Sequence, residues 1–179
     1  MAVDTVVFSG DFVADNELAR LARLTMDPGT GGPACAADGT TSDAGIFAAG
    51  NVVHPAETAD VAARRAVTVG RAAAAWLRRG GDATTPGPRV RVVVTDPLRW
   101  VVPNVADPGT DPVEPVLLRS RVFLDHPRLA VSQGGRLLAT IGVRRLVPNR
   151  SHVIPSGWWR AVRPDEDVHI SVSPRAAGR

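Results

Sequence analysis

The chain has 179 residues, 44% of them apolar and 22% charged, which is the balance of one folded domain or one and a half small ones and excludes disorder along the whole length. All 21 basic residues are arginine, lysine and tyrosine are absent, and the net charge is only +3, so a basic isoelectric point follows from what cannot titrate rather than from a nucleic-acid surface. A single cysteine excludes a disulfide framework and any zinc or cluster site built on several thiolates.

Charge is divided unevenly. Residues 1–60 carry nine acids against Arg20 and Arg23, a net −7, and the remainder carries nineteen arginines against nine acids, a net +10. The arginines are scattered and few aromatics are interleaved with them as stacking platforms, so no nucleic-acid partner is expected. No apolar run approaches the roughly 20 residues needed to cross a bilayer. The opening MAVDTVVFSGDF has acids and no basic residue before its apolar stretch, unlike a signal peptide. The expected setting is the cytoplasm, with no membrane partner.

In chain order, Val3–Phe8 is a continuous apolar run of the kind that fills a strand buried on both faces. The pattern then predicts a short helix from Asn16 to Leu24, capped by Asp15, with Leu18 and Leu21 facing inward. Asp27–Pro33 is a glycine-rich loop, and Gly45–Gly50 reads as a second buried strand. The strongest helical pattern runs from about Pro55 to Arg78. Its inward positions are Ala62, Ala66, Val69, Ala73, Trp76 and Leu77. Glu57 and Asp60 complement the positive helix start, and Arg71, Arg78 and Arg79 its far end.

Composition shifts near residue 80, where Arg79–Pro88 has no periodicity and two prolines. The expected organisation is therefore 1–80, a linker at 81–88, and a small β domain at 89–179. Strands are expected at Val90–Val94, Trp100–Pro103, Val116–Leu124, Leu129–Ser132, Arg136–Val147, His152–Ile154 and Val168–Val172, forming a small antiparallel sheet or barrel. Gln133-Gly134-Gly135 signals a hairpin and Ser156–Val162 a single helical turn. Trp100, Trp158 and Trp159 are read as core or rim residues of this part. His126, His152 and His169 have no ligand spacing, so no metal site is expected. Cys35 reads as a buried structural thiol.

The stretch that carries chemistry is Thr41-Ser42-Asp43-Ala44-Gly45-Ile46-Phe47-Ala48-Ala49-Gly50-Asn51. It reads as a buried strand running into a glycine turn before a helix start. Ligands of parallel sheets bind at that place, and anionic groups favour helix N-termini. Gly50 would admit a cofactor close to the backbone, and Asn51 would offer it an amide.

These residues resemble the second flavin-binding motif of the two-dinucleotide-domain flavoproteins, the pyridine nucleotide-disulfide oxidoreductase superfamily. Val3–Gly10 is similar to the strand returning from their nicotinamide domain. Asn51-Val52-Val53-His54-Pro55 is most similar to the flavin subunits of amine, opine and cyanide-forming oxidases. The resemblance covers about residues 3–78 and implies the C-terminal portion of a Rossmann-like FAD-binding domain, an α/β unit with one long helix, followed by the mostly antiparallel β domain. It implies FAD as cofactor, NAD(P)H as a further candidate, a small-molecule substrate, and a complementary N-terminal flavoprotein half or other subunit as partner. Gly50, Asn51, His54 and Thr58 are the implied cofactor contacts. The alternative is a non-catalytic remnant or interaction module that docks on another chain. Two departures from the family pattern stand out. Asn51 replaces the usual acid, and neither of the family's Gly-x-Gly-x-x-Gly nucleotide-binding turns is present. The redox-active cysteine pair of disulfide reductases is absent too, and no catalytic residue can be named.

Overall fold

The computed structural model describes residues 4–5, 13–55, 58–81, 88–148, 150–164 and 166–173. Most of the expected strand Val3–Phe8, together with Glu57 and most of the linker, lies outside them. The described elements in chain order are α1 (Glu17–Leu21), a short 3-10 turn at Gly50–Val52, α2 (Ala59–Arg78), β1 (Val90–Val94), β2 (Leu98–Val102), β3 (Val105–Ala106), β4 (Val116–Ser120), β5 (Leu124–Asp125), β6 (Arg128–Gln133), β7 (Arg136–Gly142), β8 (Arg145–Leu146), β9 (His152–Ile154), a 3-10 turn at Gly157–Ala161, and β10 (Val168–Val172). One long helix stands beside mostly antiparallel sheets. No Rossmann-like domain is shown among the described residues.

The strands pair as a five-stranded sheet in the order β3-β1-β10-β6-β7, a three-stranded sheet β2-β4-β9, and the ribbon β5-β8. Among the described pairs only β1 with β10 is parallel. The expected hairpin is present: β6 and β7 pair from Gln133↔Arg136 to Arg128↔Gly142 across Gly134-Gly135. Both turn glycines have positive φ (54° and 73°), the backbone that matches the twist of the flanking strands and disfavours other residues. The runs Val116–Leu124 and Arg136–Val147, expected as single strands, each break into two short ones. The main core lies between the two larger sheets. Val92, Leu118, Leu129, Trp159, Val168 and Ile170 meet in it at 1% exposure or less.

The three-stranded sheet is covered on its other face too. β4 is buried at all five positions. Val116 and Leu118 enter the main core, whereas Leu117 turns away with Trp100 and Val102 of β2. These three pack on Cys35, Ala48 and Val53, so residues from both sides of 82–87 share one apolar cluster. Polar ties reinforce it. Asn104 Oδ1 accepts the Cys35 amide at 2.8 Å, Arg89 donates to the Thr41 carbonyl and the Thr40 hydroxyl, and Arg91 reaches Asp27 at 3.3 Å.

Three local expectations need correction. Gly45–Gly50 is not a strand. It makes one isolated bridge, Thr40↔Phe47, and only Ala48 within it is buried. The reason is Thr41, whose side chain bonds the Ile46 carbonyl at 2.8 Å and bends the chain into a turn over residues 41–46. α1 is shorter than expected, follows Asn16 rather than Asp15, and buries Ala19; Leu18 and Leu21 are 81% and 72% exposed. α2 begins at Ala59, not Pro55, and of its six expected inward positions Ala62, Val69, Ala73 and Trp76 are half-buried. Val69 touches Gly39, Trp76 packs edge-on to Phe47 and against Gly45, and Arg65 and Thr68 also turn inward, whereas Ala66 and Leu77 are exposed. Among the described residues, no helix is long and apolar enough to cross a membrane.

Leu129 and Leu137 give a direct test of where the core sits. Leu129 is fully buried and Leu137 is 60% exposed. Leu129→Ala should lower stability by about 2–5 kcal/mol, and Leu137→Ala by less than about 0.5 kcal/mol, as read from urea midpoints at unchanged m.

Candidate functional site

The region implied by the sequence is built on two consecutive turns. Thr41 and Ser42 shape the first: the Thr41 hydroxyl bonds within the turn, and Ser42 Oγ accepts the Thr25 amide at 2.9 Å. The chain then runs extended through Ala49 and enters the 3-10 turn Gly50–Val52, closed by the Val53 amide on the Gly50 carbonyl at 3.0 Å. Gly50 has φ +74°, and a Cβ built there would meet nothing within 4 Å, so its outer side is open. Asn51 is exposed beside it. The underside of the turn is packed. Val53 is 2% exposed, and Gly32 lies so close beneath that a Cβ there would fall 2.2 and 2.3 Å from the Val53 and Val52 carbonyl oxygens.

His54 belongs to the packed underside. It is 1% exposed and its ring lies 4.9 Å from that of Trp100 at 43°. Arg65 Nη1 of α2 is 3.5 Å from its Nε2, and the Arg119 guanidinium of β4 lies 6.0 Å from the Trp100 ring centroid. Burial, and next the Arg65 charge, push the His54 pKa down to about 3; a backbone hydrogen bond at Pro55 opposes them and Arg119 adds a little more. His54 is therefore neutral at pH 7 and fixed in place rather than a solvent-facing residue at a helix start.

Thr58 stands exposed at the N-cap of α2, where its side chain makes no bond to the helix backbone. It bonds Asp60 instead, which with nearby amides and Arg64 holds the Asp60 carboxyl below the usual range. Of the four sequence-derived residues, Gly50 and Asn51 form one open turn, His54 backs it from inside, and Thr58 lies at the next element. Cys35 sits in the cluster below, 3% exposed, its thiol pushed up to about 12 chiefly by burial, so no thiolate is available at neutral pH. The space between Cys35, Ala48, Val53 and the α2 residues Arg65 and Val69 is about 10 Å³, room for no more than about one water, and the helix packs on the turn. Among the described residues, no group of three or more His, Cys, Asp or Glu side chains is placed to hold a metal ion.

Trp100, Arg119 and Asn104 went unmarked as supports of this region. Nothing local announces them, because each acts across more than 45 residues of chain. The one available signal was Arg119 itself, a lone charge in the apolar strand Val116-Leu117-Leu118-Arg119. No family model matches the chain, and no match was found among curated proteins or solved structures.

The neutral state of His54 sets a pH dependence. In the unfolded chain a histidine takes its proton near pH 6.5, whereas the folded one resists protonation down to about pH 3. Between these values the unfolded state holds the extra proton, so stability falls as pH falls, by up to about 1.4 kcal/mol per pH unit from this group. His54→Phe keeps a ring on Trp100 and removes the titration. Its stability should decline less steeply between pH 6 and pH 4 than that of the parent. Equal slopes in urea titrations across that range would mean that His54 is not held neutral.

The two glycines should respond differently to alanine. Gly50→Ala meets no atoms and should cost about 1 kcal/mol through its left-handed backbone alone. Gly32→Ala must push apart two backbone segments, at about 1–3 kcal/mol, and should also change the near-ultraviolet signal of buried Trp100 below the turn. An unchanged aromatic signal in Gly32→Ala would contradict the close approach.

Proposed function

We propose that the chain is the C-terminal portion of an FAD-dependent oxidoreductase, with residues 1–80 a partial FAD-binding unit joined through 81–88 to a β domain at 89–179. The observation that supports this reading most is the turn at Gly50. Its backbone is left-handed with open space on the outer side, and the exposed Asn51 amide lies beside it, at the place where the flavoprotein motif approaches the ribityl chain. A cofactor would meet Gly50, Asn51 and the Thr58 hydroxyl directly, and His54 would hold the turn from behind. In a complete enzyme the flavin supplies hydride transfer, and this chain's residues bind and orient it. NAD(P)H and a small-molecule substrate would be bound largely by a complementary N-terminal half.

A second reading, an interaction module docked on another chain, is favoured by exposed apolar side chains on both helices. Leu18 and Leu21 of α1 and Val67 and Leu77 of α2 are 53–81% exposed. The two readings share the need for a partner surface. They part on flavin.

The chain alone should purify colourless, since it lacks the ADP-binding glycine turn and the ordering cost of binding remains. Fused to a matching N-terminal half it should hold FAD. There Asn51→Ala should weaken FAD binding by about tenfold, from the loss of one hydrogen bond worth about 0.5–1.5 kcal/mol. Asn51→Asp should bind like the parent. Flavin retention after dialysis is the measurement. A fusion that binds FAD equally well with Asn51→Ala and with Gly50→Val would remove the turn from the cofactor site.

A further inference from the structure

α2 is packed on one side and exposed on the other. Val69 and Trp76 hold its inner side to Gly39 and Gly45, and Thr68 donates to Glu114. The outer side carries Ala63, Val67, Gly70, Ala74 and Leu77, which step alternately by four and three residues. At 3.6 residues per turn they fall within about 80° of the circumference. Val67 and Leu77 are 53% and 65% exposed, Ala63 and Gly70 are exposed and Ala74 is half-buried. A Cβ on Gly70 would meet nothing within 4 Å, so the middle of this stripe is open. Alternating steps of four and three make the seam along which a second helix lies, and the small residues at 63, 70 and 74 leave room for its side chains between Val67 and Leu77.

A row of charge runs beside the seam. Arg64, Arg71 and Arg78 recur every seven residues, about 10.5 Å apart along the axis, all exposed and all within about 60° of Val67. In paired helices this flanking position meets the charges of the partner. The opposite flank is formed by Ala66 and Ala73. Two of the arginines have a second use. Arg78 stands in the last turn, where a cation suits the helix C-terminus, and Arg64 is 3.5 Å from Asp60. Arg71 lies about two turns before the end, out of reach of the C-terminal effect.

The charge pattern selects the occupant. Antiparallel pairing with a second copy would set the arginine row against itself, and parallel pairing would leave it facing Ala66 and Ala73. A lipid surface is met by large apolar side chains, whereas three of the five seam residues are Ala or Gly. A helix with its own apolar seam and a flanking row of carboxylates satisfies both the spacing and the charge.

We infer that the outer face of α2 docks an acidic amphipathic helix of another protein, its apolar side chains over Val67, Gly70 and Leu77 and its carboxylates against Arg71 and Arg78. This names the surface and the partner class of the interaction-module reading, on which it rests, and it does not require that the chain bind flavin.

Two synthetic helical peptides serve as probes. They share a leucine seam and differ at the flanking positions, all Glu in one and all Lys in the other. Each is titrated into the full chain and followed by backbone amide shifts in nitrogen-15 spectra. The Glu peptide should shift Ala63, Val67, Gly70, Arg71 and Leu77, and the Lys peptide should bind about tenfold more weakly or worse. Leu77→Ser should weaken the Glu peptide by about tenfold through lost apolar burial. Arg71→Glu combined with Arg78→Glu should weaken the Glu peptide by about fivefold and strengthen the Lys peptide, a reversal that a damaged fold would not produce. Leu18→Ser on α1 should change either affinity by less than about twofold. No shifts with the Glu peptide at about 1 mM, or equal binding of the two peptides, would overturn the inference. Shifts at Leu18 and Leu21 in place of α2 would also overturn it while leaving the interaction-module reading intact. Shifts at α2 from phosphatidylglycerol vesicles but not from the Glu peptide would give the face to a membrane instead. A dimer in sedimentation that Leu77→Ser abolishes would give it to a second copy and overturn the inference too.

Discussion

The structure depends on the sheet β2-β4-β9 being apolar on both faces. One face closes the main β core with Val101, Val116 and Leu118; the other presents Trp100, Val102 and Leu117. Left uncovered, that second face would expose Trp100, Val102 and Leu117 side by side as one apolar patch. Residues 34–53 cover it. Among the described residues they have almost no ladder of their own: the isolated bridge Thr40↔Phe47 lies within them, and Met26↔Pro33 just before them. Their order is borrowed from the sheet beneath and from side-chain bonds made by Thr41, Asn104 and Arg89.

This borrowing explains the character of the turn at Gly50. Val53 and His54 are sealed against Trp100, while Gly50 and Asn51, each three residues earlier, face outward. A turn pinned from below and open above holds its geometry without closing on itself, which is what a binding surface requires. The cost is a buried imidazole beside Arg65 and Arg119. The chain meets that cost by keeping the ring neutral.

Much of the β part was legible because its signals are local. Gly134-Gly135 demanded a hairpin by backbone conformation, and Val- and Leu-rich runs between turns located β1, β6, β9 and β10 to within a residue or so. The 3-10 turn at Gly157–Ala161 followed from the same kind of reading. What misled was any inference about faces. Leu18 and Leu21 have helical spacing, but α1 has only five residues and is anchored by Ala19 and by Asn16 on the loop. Gly45–Gly50 is apolar like a strand, yet one threonine side chain at position 41 competes with ladder formation and wins. The supports of the candidate site were illegible for a further reason: Trp100, Asn104 and Arg119 reach it through tertiary contacts that no spacing encodes.

α2 is the outer layer of this arrangement and is covered on one side only. Val69 and Trp76 fasten it to Gly39, Gly45 and Phe47, and Thr68 donates to Glu114. None of its twenty residues is fully buried. A helix so lightly held can persist because its sequence is rich in alanine and arginine, residues that lose little by being helical. Its order therefore does not depend on whatever covers Val67 and Leu77. Any partner at that face would find the helix already formed and would not have to offset the entropy of folding it. The turn at Gly50 has the same property, since its conformation is set by contacts to the sheet below. The packed side of each element fixes its shape, and its outer side is left ready for contact.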